Sequence, residues 1–374
     1  MNKQRNLKSI PWGVILRVAI GALIGGAGGI FIGIRLVQGQ LTLLDLLVYA
    51  LAILLAVFIN INIHEFGHYI FGKALGYRLL SCRIAFLAWN NESSRMKFSL
   101  MWNKGYGGLC AMLPPQGLPD SKHAWFYGGG LILNSVTGIL FILMPLLIPG
   151  HSMLQGLSIT TGVVALFLAI LNFAPFISAN NPTDGKILWS LMLKHSFADK
   201  LMEYNRLASQ LAAGMRPRDI QVSPMAVNNP ELLDLMGVLY AYFHALDSGN
   251  HDEAGQLADI LEKNLARFPV HMLPAIYYEL CYTNCIKSNL KQASEYYQKA
   301  GKVLQRDRDV NGFRVKAYYE YYVTKNHGMA LTLCQQGLAV AAKFAIPGQA
   351  QMEADLLRGL ASKINQGDGY IGKP

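Results

Sequence analysis

The sequence predicts a membrane α-helical protein: a four-span core with a small β-hairpin, followed by a soluble all-α solenoid. Three observations carry this. Apolar residues make up 52% of the 374 and charged residues only 15%, against roughly 25% charged in ordinary soluble domains. Acidic residues are segregated, with only Asp45, Glu65, Glu92, Asp120 and Asp184 in residues 1–193. Long charge-poor runs in the first half give way to amphipathic helical patterning from about Pro230. The same numbers exclude a disordered chain, a collagen and a coiled coil.

A spanning helix needs about 20 mostly apolar residues, and four stretches qualify. They lie at about 12–34, 46–70, 124–148 and 153–178. Only Arg17 interrupts the first, no charge falls within 46–63, and none follows the start of the fourth until Asp184. The first is too long in its apolar core, and too poor in a cleavage site, for a removed signal peptide. Its Gly21, Gly25, Gly29 and Gly33 line one helix face and suit close helix packing. The expected organisation is a membrane domain over 1–195, a linker over 196–229 and a helical-repeat domain over 230–374.

Charge orients the spans. Residues 1–193 hold 13 Lys and Arg against 5 Asp and Glu. Most flank the first span's start (Lys3, Arg5, Lys8), the loop between spans two and three, or the end of span four. The positive-inside rule then places both termini and the long middle loop in the cytoplasm. Short loops and five cysteines without a Cys-x-x-Cys pair suit free thiols beside a bacterial plasma membrane. No aromatic-basic motif points to nucleic acid.

Span two ends in Asn62-Ile63-His64-Glu65-Phe66-Gly67-His68. His-Glu-x-x-His on a helix puts both imidazoles on one face, where they can grip one metal ion. Glu65 sits beside that face as a candidate general base toward metal-activated water. Ionisable groups extending an apolar span are costly without a function. The bland alternative is a pair of capping histidines at a helix end. A catalytic zinc site needs a third protein ligand. Asp45 lies too far along the helix, Glu92 and Asp120 require the middle loop to fold back, and His123 begins a span. Asp184 is the better candidate, because Pro175 and Pro182 break the fourth helix and unwound backbone at that depth belongs beside protein or a polar cavity.

These residues resemble the site-2-protease family of intramembrane zinc proteases. His64-Glu65-Phe66-Gly67-His68 with Gly76 downstream is similar to its first motif. Gly130-Leu131-Ile132-Leu133-Asn134 resembles its Gly-Pro-x-x-Asn motif, with leucine where the proline stands. Asn172-x-x-Pro175 followed by Asp184-Gly185 resembles its Asn-x-x-Pro…Asp-Gly motif, with a longer gap. The likeness covers about residues 46–195. It implies zinc (Zn2+) held by His64, His68 and Asp184, catalysis by Glu65, and substrate-binding or supporting roles for Asn134 and Asn172.

In the middle loop, Ser81–Trp89 and Arg95–Trp102 read as the strands of a hairpin at about 81–102. In the family a hairpin here lies beside the zinc, and its free edge could hold an unwound substrate strand. In the last part, Ala254, Ala293 and Ala330 open amphipathic segments at intervals of 39 and 37 residues. This resembles tetratricopeptide-type helix pairs, which bind partners on a concave face. The alternative is a helical bundle that only packs. The expected activity is therefore hydrolysis of a peptide bond in or near a transmembrane segment of a membrane protein or peptide precursor. A non-enzymatic receptor or immunity-type protein retaining the fold is the first rival. A zinc transporter is the second, opposed by the scarcity of acidic residues along the spans.

Overall fold

The computed structural model describes residues 42–84, 86–92, 95–100, 107–147, 152–178, 180–222 and 229–368. The first expected span and its glycine row lie outside them. In chain order the elements are α1 (Leu43–Ala74), then strands β1 (Arg78–Ile84), β2 (Leu87–Glu92), β3 (Arg95–Leu100) and β4 (Gly108–Leu113). Helices α2 (Asp120–Leu143) and α3 (Ser152–Phe173) follow, then the two-residue strands β5 (Ile177–Ser178) and β6 (Asn181–Pro182). Next come α4 (Asp184–Met192), α5 (Ser196–Ala212), α6 (Leu232–Asp247), α7 (His251–Lys263) and α8 (Leu273–Ile286). The last are α9 (Leu290–Arg306), α10 (Val310–Tyr319), α11 (His327–Val340) and α12 (Pro347–Asp368). They form two compact units: the described residues up to His68 with Tyr127–Trp189, and Tyr69–Phe126 with Ser190 onward.

Leu43–Ala74, Asp120–Leu147 and Leu154–Phe173 are long and apolar enough to cross a membrane. They answer to the second, third and fourth expected spans. The fourth ends at Phe173, five residues short of expectation, because Pro175 cannot continue the helix. Thr42 and Asp45 open α1 with reciprocal bonds, Thr42 N donating to the Asp45 carboxylate at 2.8 Å. Along α1 the buried seam is Ala56, Asn60, His64 and His68, while Leu47, Leu51, Leu54 and Leu55 are exposed. Polar groups inside and leucines outside is the distribution that suits a helix surrounded by lipid. Helices α2 and α3 approach closely where Gly138 faces Gly162, each leaving no room for a Cβ.

The second unit takes in the last turns of α1, from Tyr69. Gly76 takes a left-handed conformation (φ +86°) and Tyr77 N donates to Gly72 O at 2.8 Å, a glycine-capped helix stop. The expected hairpin is instead a four-stranded antiparallel sheet in the order β3-β2-β1-β4. Strands β1 and β2 pair antiparallel with Ile84 opposite Leu87, and Asn90–Glu92 is strand rather than turn. The hairpin strands β2 and β3 pair from Leu87↔Leu100 to Glu92↔Arg95.

Residues 196–212, expected within a linker, form α5, whose Ala198, Leu201, Ala208 and Leu211 are buried at helical spacing. Its end is tied to the sheet, Arg78 Nη2 donating to Ala212 O at 2.6 Å. Beyond it, α6–α7, α8–α9 and α10–α11 are helix pairs followed by α12. The second helix of each pair starts after an asparagine: Asn250, Asn289 and Asn326. At the centre, Arg314 lies fully buried between Glu279 and Glu353.

Candidate metal centre

The site is built on two helices of the first unit. On α1, His64 and His68 are 8% and 7% exposed and stand one turn apart on the buried seam. Their four-residue spacing brings the two Nε2 atoms to 3.2 Å. Asp184, the first residue of α4, presents Oδ2 at 2.9 Å from His64 Nε2 and 3.4 Å from His68 Nε2. Three donors so arranged could hold a metal ion. A tetrahedral ion with ligands about 2.0–2.1 Å away keeps them roughly 3.3–3.4 Å apart. The observed triangle has nearly those edges, and both imidazoles point the same nitrogen into it.

The loop before Asp184 explains why it arrives there. Pro175 ends the helical run, and β5 and β6 form a two-residue hairpin, with Ser178 opposite Asn181. The Thr183 hydroxyl donates to Ala174 O at 2.6 Å and accepts from Lys186 N at 3.2 Å. It thus closes the loop and caps α4 at once. Gly185 packs on the Phe173 backbone, where a Cβ would overlap the carbonyl. Helix α4 can start beside the end of α3 only because residue 185 has no side chain. The same holds at Gly130 on α2, where a Cβ would stand 2.6–2.7 Å from Cε1, Nδ1 and Nε2 of His64. Gly67 likewise meets the backbone of Gly129 and Gly130.

Burial acts to raise the Asp184 carboxyl, but the charge and hydrogen bonds of His68 and His64 outweigh it and hold it below its ordinary range. An ionised carboxylate facing two imidazoles is the donor set a divalent cation takes.

Among the described residues, His64, His68 and Asp184 are the one such group of three His, Cys, Asp or Glu donors. Asp45 is spent in the cap of α1. Asp120 stands exposed in the first turn of α2. His123 is buried and its Nδ1 bonds the Tyr77 hydroxyl. Glu65 is 8% exposed, directly beside His64 in the chain and outside the ligand triangle. Asn134 is fully buried on α2, one turn beyond Gly130, and its side-chain oxygen and nitrogen have no hydrogen-bond partner among the described residues. Asn172 is half-buried in the last turn of α3 and its side chain makes no hydrogen bond among the described residues. Sequence reasoning missed Asn60, which is fully buried one turn before His64. The signal was a carboxamide at that spacing inside an otherwise apolar span.

Comparison of the chain with protein-family models, with curated proteins and with solved structures gives no match.

Proposed function

We propose that the chain is an intramembrane zinc metalloprotease of the site-2-protease kind, acting on a membrane protein or peptide precursor. The observation that supports it most is the convergence of His64, His68 and Asp184 on one point, with Glu65 beside them, at the end of a helix apolar enough to span a bilayer. Two imidazoles and one carboxylate are a donor set of catalytic zinc, which leaves a fourth position open. Bound there, zinc would polarise the scissile carbonyl and acidify a water.

In this reading His64, His68 and Asp184 hold the ion, and Glu65 stays free of it. Glu65 takes a proton from the attacking water and returns it to the leaving amine. The seam of α1 excludes lipid from these polar groups, since its leucines face the other way. The four-span topology, with cytoplasmic termini, rests on the Lys and Arg asymmetry of the loops. The edge strand β3, with Met96, Phe98 and Leu100 exposed, offers backbone to which an unwound substrate could add. In the same reading the helix pairs from α6 to α11 are tetratricopeptide-type repeats, which would bind a protein partner.

The decisive experiment compares wild type with Glu65→Gln, by zinc content of the purified protein and by proteomics of membrane fractions. Gln keeps the shape and removes the proton acceptor. Zinc content should be unchanged while turnover falls roughly 100-fold or more and an uncleaved membrane protein accumulates. Full cellular function in Glu65→Gln would replace the protease reading with the receptor or immunity one.

A further inference from the structure

We propose that Asn60, together with Asn134, positions His64 by holding one buried water that accepts the His64 Nδ1–H. The proposal rests on the reading of His64 as a metal ligand.

A neutral imidazole that binds a metal through Nε2 carries its proton on Nδ1, and that proton needs an acceptor. His64 Nδ1 is buried and has no hydrogen-bond partner among the described residues. Three further buried atoms nearby are in the same condition: Asn60 Oδ1, Asn134 Oδ1 and Asn134 Nδ2. Both asparagines are 0% exposed. In surroundings this apolar, each such group costs free energy unless something satisfies it.

Their placement makes them one layer. His64 packs on Gly130 and Gly67 on Gly129, so α1 and α2 run antiparallel at this point. One turn back from His64 is Asn60, and one turn on from Gly130 is Asn134. Side chains one turn apart start about 5–6 Å from each other at Cβ, and a single water making two hydrogen bonds of about 2.8 Å joins polar atoms roughly 4.5 Å apart, within reach of these side chains' polar ends. That water would accept from His64 Nδ1–H and donate to Asn60 Oδ1 and Asn134 Oδ1. Three partners is the usual number for a buried water.

Asn60 is also held in one orientation. Its Nδ2 donates to Ala56 O at 2.9 Å on its own helix and to Thr161 O at 3.2 Å on α3. These two bonds decide which end of the carboxamide is oxygen and leave Oδ1 as the free acceptor. A residue serving only to join α1 to α3 would use Nδ2 alone.

The test uses the full chain in detergent, with zinc affinity read by competition against a chromophoric chelator and thermal unfolding read on the metal-free protein. Asn60→Leu and Asn134→Leu should each weaken zinc binding by roughly 10- to 100-fold. The double variant should lose little more than the worse single, because one water serves both side chains. Asn60→Asp keeps the acceptor and discards both donated bonds. It should bind zinc at least tenfold more tightly than Asn60→Leu, even if its unfolding temperature drops. Zinc affinity within twofold of wild type in both leucine variants would overturn the proposal. So would fully additive losses, or an Asn60→Asp variant as weak as Asn60→Leu. A wild-type protein that binds no zinc would instead sink the metal reading itself.

Discussion

Gly130 lies so close to the imidazole of His64 that a Cβ there would stand 2.6–2.7 Å from three of its ring atoms. The glycine is not in a left-handed conformation; it is required by contact. Gly130→Ala should push the ring off the triangle or spread α1 from α2, at a cost of about 1–3 kcal/mol. Zinc content should fall although no ligand has changed, and thermal unfolding should shift down with it. Full zinc retention in Gly130→Ala would mean that this contact does not set the ring.

Asp184 is the candidate ligand that comes from far along the chain. Wild-type protein is expected to carry about one zinc per chain, and Asp184→Ala to lose most of it. Elemental analysis of the two purified proteins checks this. Undiminished zinc in Asp184→Ala would mean that another group completes the site.

Thr183 holds Asp184 in place through its hydroxyl, which bonds both Ala174 O and Lys186 N. Thr183→Val keeps the shape and removes those bonds, at a cost of about 1 kcal/mol for the cap alone. Zinc affinity should weaken, because the carboxylate is then held less firmly. Thr183→Ser should behave as wild type. Equal affinity in the valine and serine variants would show that the backbone of β5 and β6 suffices to place Asp184.

The helical array has its own titration. Burial pushes Glu279 up to about 7 from an ordinary value near 4.5, against the attraction of Arg314 and with the help of Glu353. The folded state therefore keeps a proton that the unfolded chain sheds. This contribution to stability is fully present below pH 4.5 and is lost as pH rises through 7. Wild type should unfold at a lower temperature at pH 8 than at pH 5.5, and Glu279→Gln should flatten that difference. Arg314→Met leaves two buried carboxylates unpaired and should cost about 3–5 kcal/mol. A Glu279→Gln variant with the wild-type pH profile would place the titration elsewhere.

Periodicity and short spacing were legible in the sequence, because both act within one helix. Spans two and three, the His64–His68 face and the starts of α7, α9 and α11 follow from residues a few positions apart. The reversal between β1 and β2 was hidden, since 84–88 is an unbroken apolar run without a turn residue. Helix α5 was overlooked although Ala198, Leu201, Ala208 and Leu211 carry a helical period.

By itself the sequence paired two of the three candidate ligands by helical spacing and favoured Asp184 as the third, on the broken helix before it and on a family resemblance, without any geometric tie to the other two. Only the tertiary structure brings the three donor groups to one point. A helix fixes its own neighbours at three and four residues by geometry alone, whereas a contact between α1 and α4 depends on everything that lets the helices approach. Here that is the absence of side chains at Gly130 and Gly185 and the loop closed by Thr183. The layer of Asn60 and Asn134 is of the same kind. Each asparagine is visible in the sequence as a polar residue in an apolar span, but that they share one level was decided by the antiparallel register of α1 and α2, which close glycine packing sets.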